Sequence, residues 1–318
     1  MGKRENVQLL VKSTEKIRAK LKWPLYVQEK LNGVRALIYR DKTGTKGGGL
    51  NDLFDTVTPN KIIIESSEGN HYILPHLDEG LNKIFDAFPN VVLDGELYIH
   101  NEPLNKIIRR LPKTNKLGTV SKPSLPSEDL EFHIFDVKSD KTQKERLEIV
   151  EKIGDFIYTL AFNSDYKVPI EMVTNYLADD LEEAEHLLNK AIDNGYEGIV
   201  LRYPNSHYAA GSKKVGVALK WKKWHSTECE VLDIQSEGLK EGVYVIKFLL
   251  KNDLNDETFL CNVGNSESTE HWDNNYKLAV FHNRRQYIGK KVTVKYYERS
   301  GIAKVPFHAN VITVRDYE

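Results

Sequence analysis

A lysine amine becomes a nucleophile once it sheds its proton, and the run Lys30-Leu31-Asn32-Gly33-Val34-Arg35 has the parts to make one. Desolvation or a neighbouring cation lowers the cost of losing that proton. Gly33 allows a second backbone to come close, and Arg35 offers a planar fork matched to phosphate oxygens. Such a set could attack phosphorus. Taken alone, it also describes a hairpin turn with two solvated cations. Asp94-Gly95-Glu96 places two acids inside an apolar run, where a charge needs a partner or a metal, so Glu96 has either a salt bridge or a ligand. In Phe132-His133-Ile134-Phe135-Asp136, strand alternation puts Phe132 and Ile134 on one face and His133 and Phe135 on the other. Phe135 could stack on a base or fill a core. Glu197-Gly198-Ile199-Val200-Leu201-Arg202 again opens an apolar run with an acid and a glycine, and Lys220-Trp221-Lys222 turns two lysines to one strand face.

The elements that must carry these residues are legible as short strands. Residues 34–39, 61–65, 90–99, 130–137 and 197–203 are rich in β-branched and aromatic residues and bounded by Gly, Pro, Asn or Asp. Helical patterns lie between them. One has Asp179 or Asp180 as cap, a stripe of Leu181, Ala184, Leu187, Leu188, Ala191 and Ile192, and Gly195 as stop. This mixture indicates an α+β domain over residues 1–224. Beyond Trp224, residues 228–235, 243–251, 257–263, 291–297 and 310–315 read as strands, with a helix near 275–286. Five strands in so short a span fit a small β-barrel over 225–318, with the OB-fold as the natural candidate. Gly47-Gly48-Gly49 reads as a surface loop, since no Gly-Lys-Ser/Thr follows it.

Taken in order, Lys-x-x-Gly-x-Arg, Asp-Gly-Glu, Phe-x-x-Phe-Asp, Glu-Gly-Ile-Val-Leu-Arg and Lys-x-Lys resemble the motif series of the covalent nucleotidyltransferases. That superfamily comprises DNA ligases, RNA ligases and mRNA-capping guanylyltransferases, and the match runs over residues 25 to 224. Gly301-Ile302-Ala303-Lys304-Val305-Pro306-Phe307 and then Val314-Arg315-Asp316 resemble the last ligase motif. The nearest resemblance is to the minimal ATP-dependent DNA ligases of viruses and phages. It implies an α+β nucleotidyltransferase (ATP-grasp-like adenylation) domain followed by an OB-fold β-barrel. It also implies that Lys30 takes AMP from ATP as a phosphoramidate, passes it to the 5′-phosphate of a nick in duplex DNA, and that the 3′-hydroxyl then displaces it.

Residue by residue, the resemblance gives Lys30, Arg35, Lys220 and Lys222 catalytic roles at the α-phosphate. Glu96 would serve the ribose and a metal, and Glu197 the metal, with Mg2+ (or Mn2+) favoured by oxygen ligands and phosphates. Gln28 and Glu29 occupy the segment associated with adenine recognition, Phe135 would stack on adenine, and Arg315 would orient the β,γ-phosphates. Asn32 stands where the family usually has aspartate. The Ser-Arg pair that reads the nick 5′-phosphate is replaced around Ser66-Ser67-Glu68, leaving either Arg40 or another cation for that task or a different mode of nick recognition. RNA ligase and capping guanylyltransferase are the rival readings. NAD is disfavoured as adenylate donor by the early position of Lys30 and by only two cysteines, Cys229 and Cys261, which cannot form a four-cysteine zinc module.

Composition bounds the rest. A net charge of -1 means any nucleic-acid contact must be local; Gly211–His225 carries five lysines and no acid, and 105–122 is a second basic run. No apolar stretch reaches bilayer length, the start has no secretion signal, and two isolated cysteines indicate a reducing compartment. The expectation is a cytoplasmic monomer.

Overall fold

The computed structural model describes residues 6–41, 60–114, 120–162, 168–264, 272–300 and 303–315. The chain divides into two compact units, Met1–Lys222 and Lys223–Glu318. The division falls two residues before the expected boundary at Trp224, just past the last strand of the first unit. The Gly47–Gly49 loop, Gly301, Ile302 and Asp316 lie outside the described residues.

The first unit holds two sheets. The first sheet runs in the order β1 (Val11–Lys12), β12 (Ala218–Trp221), β11 (Gly198–Arg202), β2 (Leu25–Lys30), β10 (Asn175–Ala178). The second runs β7 (Lys113–Thr114), β5 (His71–Tyr72), β4 (Lys61–Ser66), β3 (Val34–Asp41), β6 (Leu93–Tyr98), β8 (Glu131–Val137), β9 (Ile170–Met172). Helices α1 (Glu15–Arg18), α2 (Asp78–Ala87), α3 (Leu104–Arg109), α4 (Gln143–Phe162) and α5 (Leu181–Asp193) complete this unit.

Each sheet buries one face by strand alternation. On the first sheet, Leu25, Val27, Ile199, Leu201, Leu219 and Trp221 pack with Ala184, Leu188 and Ala191 of α5. Asp180 caps α5 as expected, its carboxylate accepting from the Glu183 N–H at 2.9 Å. On the second sheet, Ala36, Ile38, Leu93, Leu97, Phe132 and Ile134 pack against α2 and α4. The opposite faces carry the polar residues. Lys30 pairs across the strands with Gly198, and Gln28 with Val200 and thence Lys220. Arg35 pairs with Glu96 and thence His133. The register shifts on β8: Gly95 opposes Ile134 but Asp94 opposes Asp136, so Phe135 is the extra residue of a bulge, a device that re-aims a side chain.

The second unit is a closed barrel of β13 (His225–Lys240), β14 (Val243–Lys251), β15 (Thr258–Val263), β19 (Asn310–Val314) and β16 (Lys291–Tyr296). A ribbon of β17 (Glu298–Arg299) and β18 (Pro306–Phe307) and one helix, α6 (Asn274–His282), accompany it. Strand β13 is longer than the expected 228–235 because it serves two neighbours, β16 with its first half and β14 with its second. Cys229 and Cys261 are buried in this core and unbridged.

Candidate active site

The hairpin alternative for the Lys30 cluster does not hold. Strand β2 belongs to the first sheet and β3 to the second, so Lys30-Leu31-Asn32-Gly33 crosses from one sheet to the other. Lys30 is the last residue of β2 and stands at this crossing. Gly33 is required there: a Cβ would lie 2.4 Å from the Leu97 carbonyl oxygen and 2.8 Å from Glu96 Cγ. Without a side chain, Gly33 comes close enough to donate its N–H to the Glu96 carboxylate. Loss of solvent pushes the Glu96 carboxyl up to about 7, against the attraction of Lys30, Arg35 and that N–H.

Glu197 faces Lys30 from the neighbouring strand. Its backbone N–H donates to the Lys30 carbonyl at 2.9 Å, and its carboxylate pairs with the amines of both Lys30 and Lys222. The following glycine makes this possible. Gly198 has φ +149°, and a Cβ there would meet the Trp221 carbonyl oxygen at 2.3 Å. Close approach of β11 to β12 thereby sets Lys222 beside Glu197. Lys220, two residues earlier, shares that face by alternation. Two expected lysines, Lys30 and Lys222, therefore converge on the carboxylate of the expected Glu197, and Glu96 adds its charge to Lys30.

Arg35 does not stand free as a phosphate fork. Its Nε and Nη2 donate to Asp94 at 2.8 and 2.6 Å, and its Nη1 donates to the Gln8 carbonyl at 2.6 Å. The same guanidinium lies 5.2 Å from the centre of the Phe135 ring, and that of Arg202 lies 5.5 Å from it. Gln28 is also engaged. Its amide donates to the Phe135 carbonyl at 2.7 Å and to Asn175 at 2.8 Å, and accepts from Arg202 Nε at 2.6 Å. At 1% exposure it has no amide hydrogen left for a base edge. Its visible role is to hold the Phe135 backbone. Glu29 lies on the α5 face with Ile199 and Trp221, opposite to Lys30, where burial pushes its carboxyl up while Tyr176 and Lys190 pull it down.

Arg40 falls on the α2 side of β3, away from Arg35. It donates to Asp86 at 2.7 Å and to the Asn82 side chain at 2.9 Å, so α2 already holds the cation that was a candidate for nick recognition. Arg315 belongs to the barrel, where its Nε donates to Thr293 at 2.7 Å and lies 3.3 Å from Glu228.

Sequence reasoning missed the buried polar floor. Asp136, 0% exposed, accepts from Arg146 at 2.8 Å and from Arg202 at 3.0 Å. Tyr208 donates to Asp94 at 2.6 Å. Nothing in the spacing of Arg146 or Tyr208 announces these contacts, which join residues 10 to 114 positions apart. Among the described residues no group of three or more His, Cys, Asp or Glu could hold a metal. Glu96 and Glu197 are instead two oxygen donors of the kind that share a hard cation with incoming phosphates.

The first unit is thus a mixed α+β domain similar to the adenylation domains of ATP-dependent ligases. A family model described as the ATP dependent DNA ligase domain matches residues 8–222. The chain belongs to this family. A DNA ligase of African swine fever virus (isolate Pig/Kenya/KEN-50/1950) is 23% identical over 310 residues, covering 91% of this chain and 63% of its own length. A DNA ligase of Archaeoglobus fulgidus is 26% identical over 150 residues, 44% of this chain and 24% of its own. The chain therefore spans less than two thirds of these relatives. Among solved structures, one described as Pmar-Lig_PreS3 aligns with a TM-score of 0.73 at 18% identity over 98% of this chain and 68% of its own. A structure from work on Lig E DNA ligases aligns at 0.63 and 19% identity, covering 98% and 99%. At these identities the likeness establishes the fold.

Proposed function

We propose that this chain is an ATP-dependent DNA ligase that seals nicks between a 3′-hydroxyl and a 5′-phosphate in duplex DNA. The observation that carries this reading is the convergence of Lys30 and Lys222 on Glu197 at the crossing between the two sheets. Lys30 Nζ attacks the α-phosphorus of ATP; the new N–P bond forms as the bond to pyrophosphate breaks. The nick 5′-phosphate then takes the AMP from Lys30. Finally the 3′-hydroxyl attacks that phosphate, closing the phosphodiester and releasing AMP.

The resting geometry sets a condition on the first step. A carboxylate beside an ammonium group favours the charged form, and only the free amine attacks. Glu197 must therefore leave Lys30 before the reaction. Glu96 and Glu197 are the residues that would hold a Mg2+ ion, which would supply charge neutralisation at the phosphates. Lys222, released from the same carboxylate, and Lys220 stabilise charge developing on the α-phosphate. Arg35 acts here through Asp94 and Phe135 as a wall of the site. We further propose that the barrel is an OB-fold and that Arg315 helps to orient the β,γ-phosphates.

Sealing assays on nicked DNA and nicked RNA duplexes test this. Joining of the DNA with ATP and Mg2+ is expected. Preference for an RNA nick would favour the RNA-ligase reading, and labelling by GTP in preference to ATP would favour a capping enzyme.

A further inference from the structure

The segment before β1 forms a strap across the polar face of the second sheet. Asn6 donates to Glu65 at 3.0 Å, the Val7 carbonyl accepts from Gly211 at 2.9 Å, and Gln8 bridges to Ala210. Gln8 is 1% exposed. Its carbonyl accepts from Arg35 at 2.6 Å, its N–H donates to the Tyr208 oxygen at 3.2 Å, and its Oε1 accepts from the Ala209 N–H at 3.4 Å. Its Nε2 is buried and has no hydrogen-bond partner among the described residues. Exchanging the amide ends would not help, because two donors would then face each other at Ala209.

No acceptor among the described residues takes up this amide. Asp94 already takes both Arg35 donors and the Tyr208 hydroxyl. A buried amide without a partner is costly, and a ligand that brings an acceptor relieves that cost only when bound. The Gln8 backbone carbonyl is one hydrogen bond from Arg35, which in turn lies over Phe135, so the residue that carries the idle donor is joined through Arg35 to the ring proposed to stack on adenine.

We infer that Gln8 is a nucleotide-binding residue whose side-chain amide donates to an oxygen acceptor of ATP. This rests on the ligase reading above. A nick phosphate is the other source of such an oxygen, and separate reaction steps distinguish the two. The test compares the parent with Gln8→Met, which keeps the length and removes the amide, and with Gln8→Glu, which keeps an acceptor for Ala209 and places an anion where the donor was. Three quantities are measured: the melting temperature of the ligand-free protein, the KM for ATP in self-adenylylation, and the sealing rate of pre-adenylylated enzyme. A donor idle until ATP binds predicts that the melting temperature of Gln8→Met falls by no more than the loss of the acceptor for the Ala209 N–H explains. It also predicts a KM raised about 3- to 10-fold, from the typical worth of one hydrogen bond, with sealing unchanged. A lowered melting temperature with unchanged KM would make Gln8 structural and overturn the inference. Loss confined to sealing would overturn it in favour of the nick phosphate. Should Gln8→Met not fold, Gln8→Glu decides, with the same KM rise expected and an unchanged KM fatal. If the parent itself takes no label on Lys30, the ligase reading falls, an outcome separate from all of these.

Discussion

At the scale of single residues, the ligand-free site holds charges that are incompletely matched. Glu96 sits in a place poor in solvent, and Lys30, Arg35 and the Gly33 N–H do not fully compensate it. Its carboxyl, held near 7 in the folded state, returns to about 4.5 on unfolding, so the folded protein binds that proton more tightly. The associated stability is fully present below about 4.5 and is lost as pH rises through 7. The ligand-free protein should therefore melt at a lower temperature at pH 8 than at pH 5. Glu96→Gln should flatten this dependence and raise stability at pH 8 by at most about 3 kcal/mol, while impairing self-adenylylation. Thermal melts across pH check it; a Glu96→Gln protein less stable than its parent at pH 8 would refute the assignment.

At the scale of elements, the polar floor joins β2, β8, β11 and α4. Arg146 and Arg202 both rely on Asp136, and all three side chains are buried. Removing one partner of a buried pair leaves charge uncompensated, which costs about 3–5 kcal/mol. Asp136→Ala should lower the melting temperature by on the order of 10 °C, measured by calorimetry on the ligand-free chain. A loss under about 1 kcal/mol would mean that solvent reaches the two arginines.

Much of this element scale was legible beforehand. The strands follow from apolar alternation, and α5 from its cap and stripe. Helix α4 was missed although Thr142 and Glu145 form a reciprocal cap, the Thr142 N–H donating to Glu145 at 2.8 Å. The motif residues Lys30, Glu197 and Lys222 could be named because their order along the chain carries a pattern. The partners of Gln28 and Arg35 could not. Which of two strand faces meets the second sheet depends on pairings between residues more than a hundred positions apart, as between Gln28 and Arg202. The bulge at Phe135 is likewise a property of two strands together, invisible in either one.

At the scale of the whole molecule, the proposed ligase reading requires a near-neutral chain to bind a polyanion through local charge. Gly211–His225 supplies five lysines, of which Lys213, Lys214 and Lys223 remain for the DNA backbone once Lys220 and Lys222 serve the nucleotide. Affinity for nicked duplex should fall linearly in log[salt], losing about tenfold or more between 50 and 200 mM if several phosphates are neutralised, and should be indifferent to sequence around the nick. Binding titrations at several salt concentrations on two unrelated sequences check both. A flat salt response would contradict backbone-dominated binding.

The most direct test of the account is to locate the covalent intermediate. The protein is incubated with ATP and Mg2+, digested, and its peptides are analysed by mass spectrometry. Adenylyl modification on the peptide containing Lys30, lost in Lys30→Ala, is the predicted result. An adenylyl group on another side chain, or none in the parent, would contradict the role given to the crossing between the two sheets.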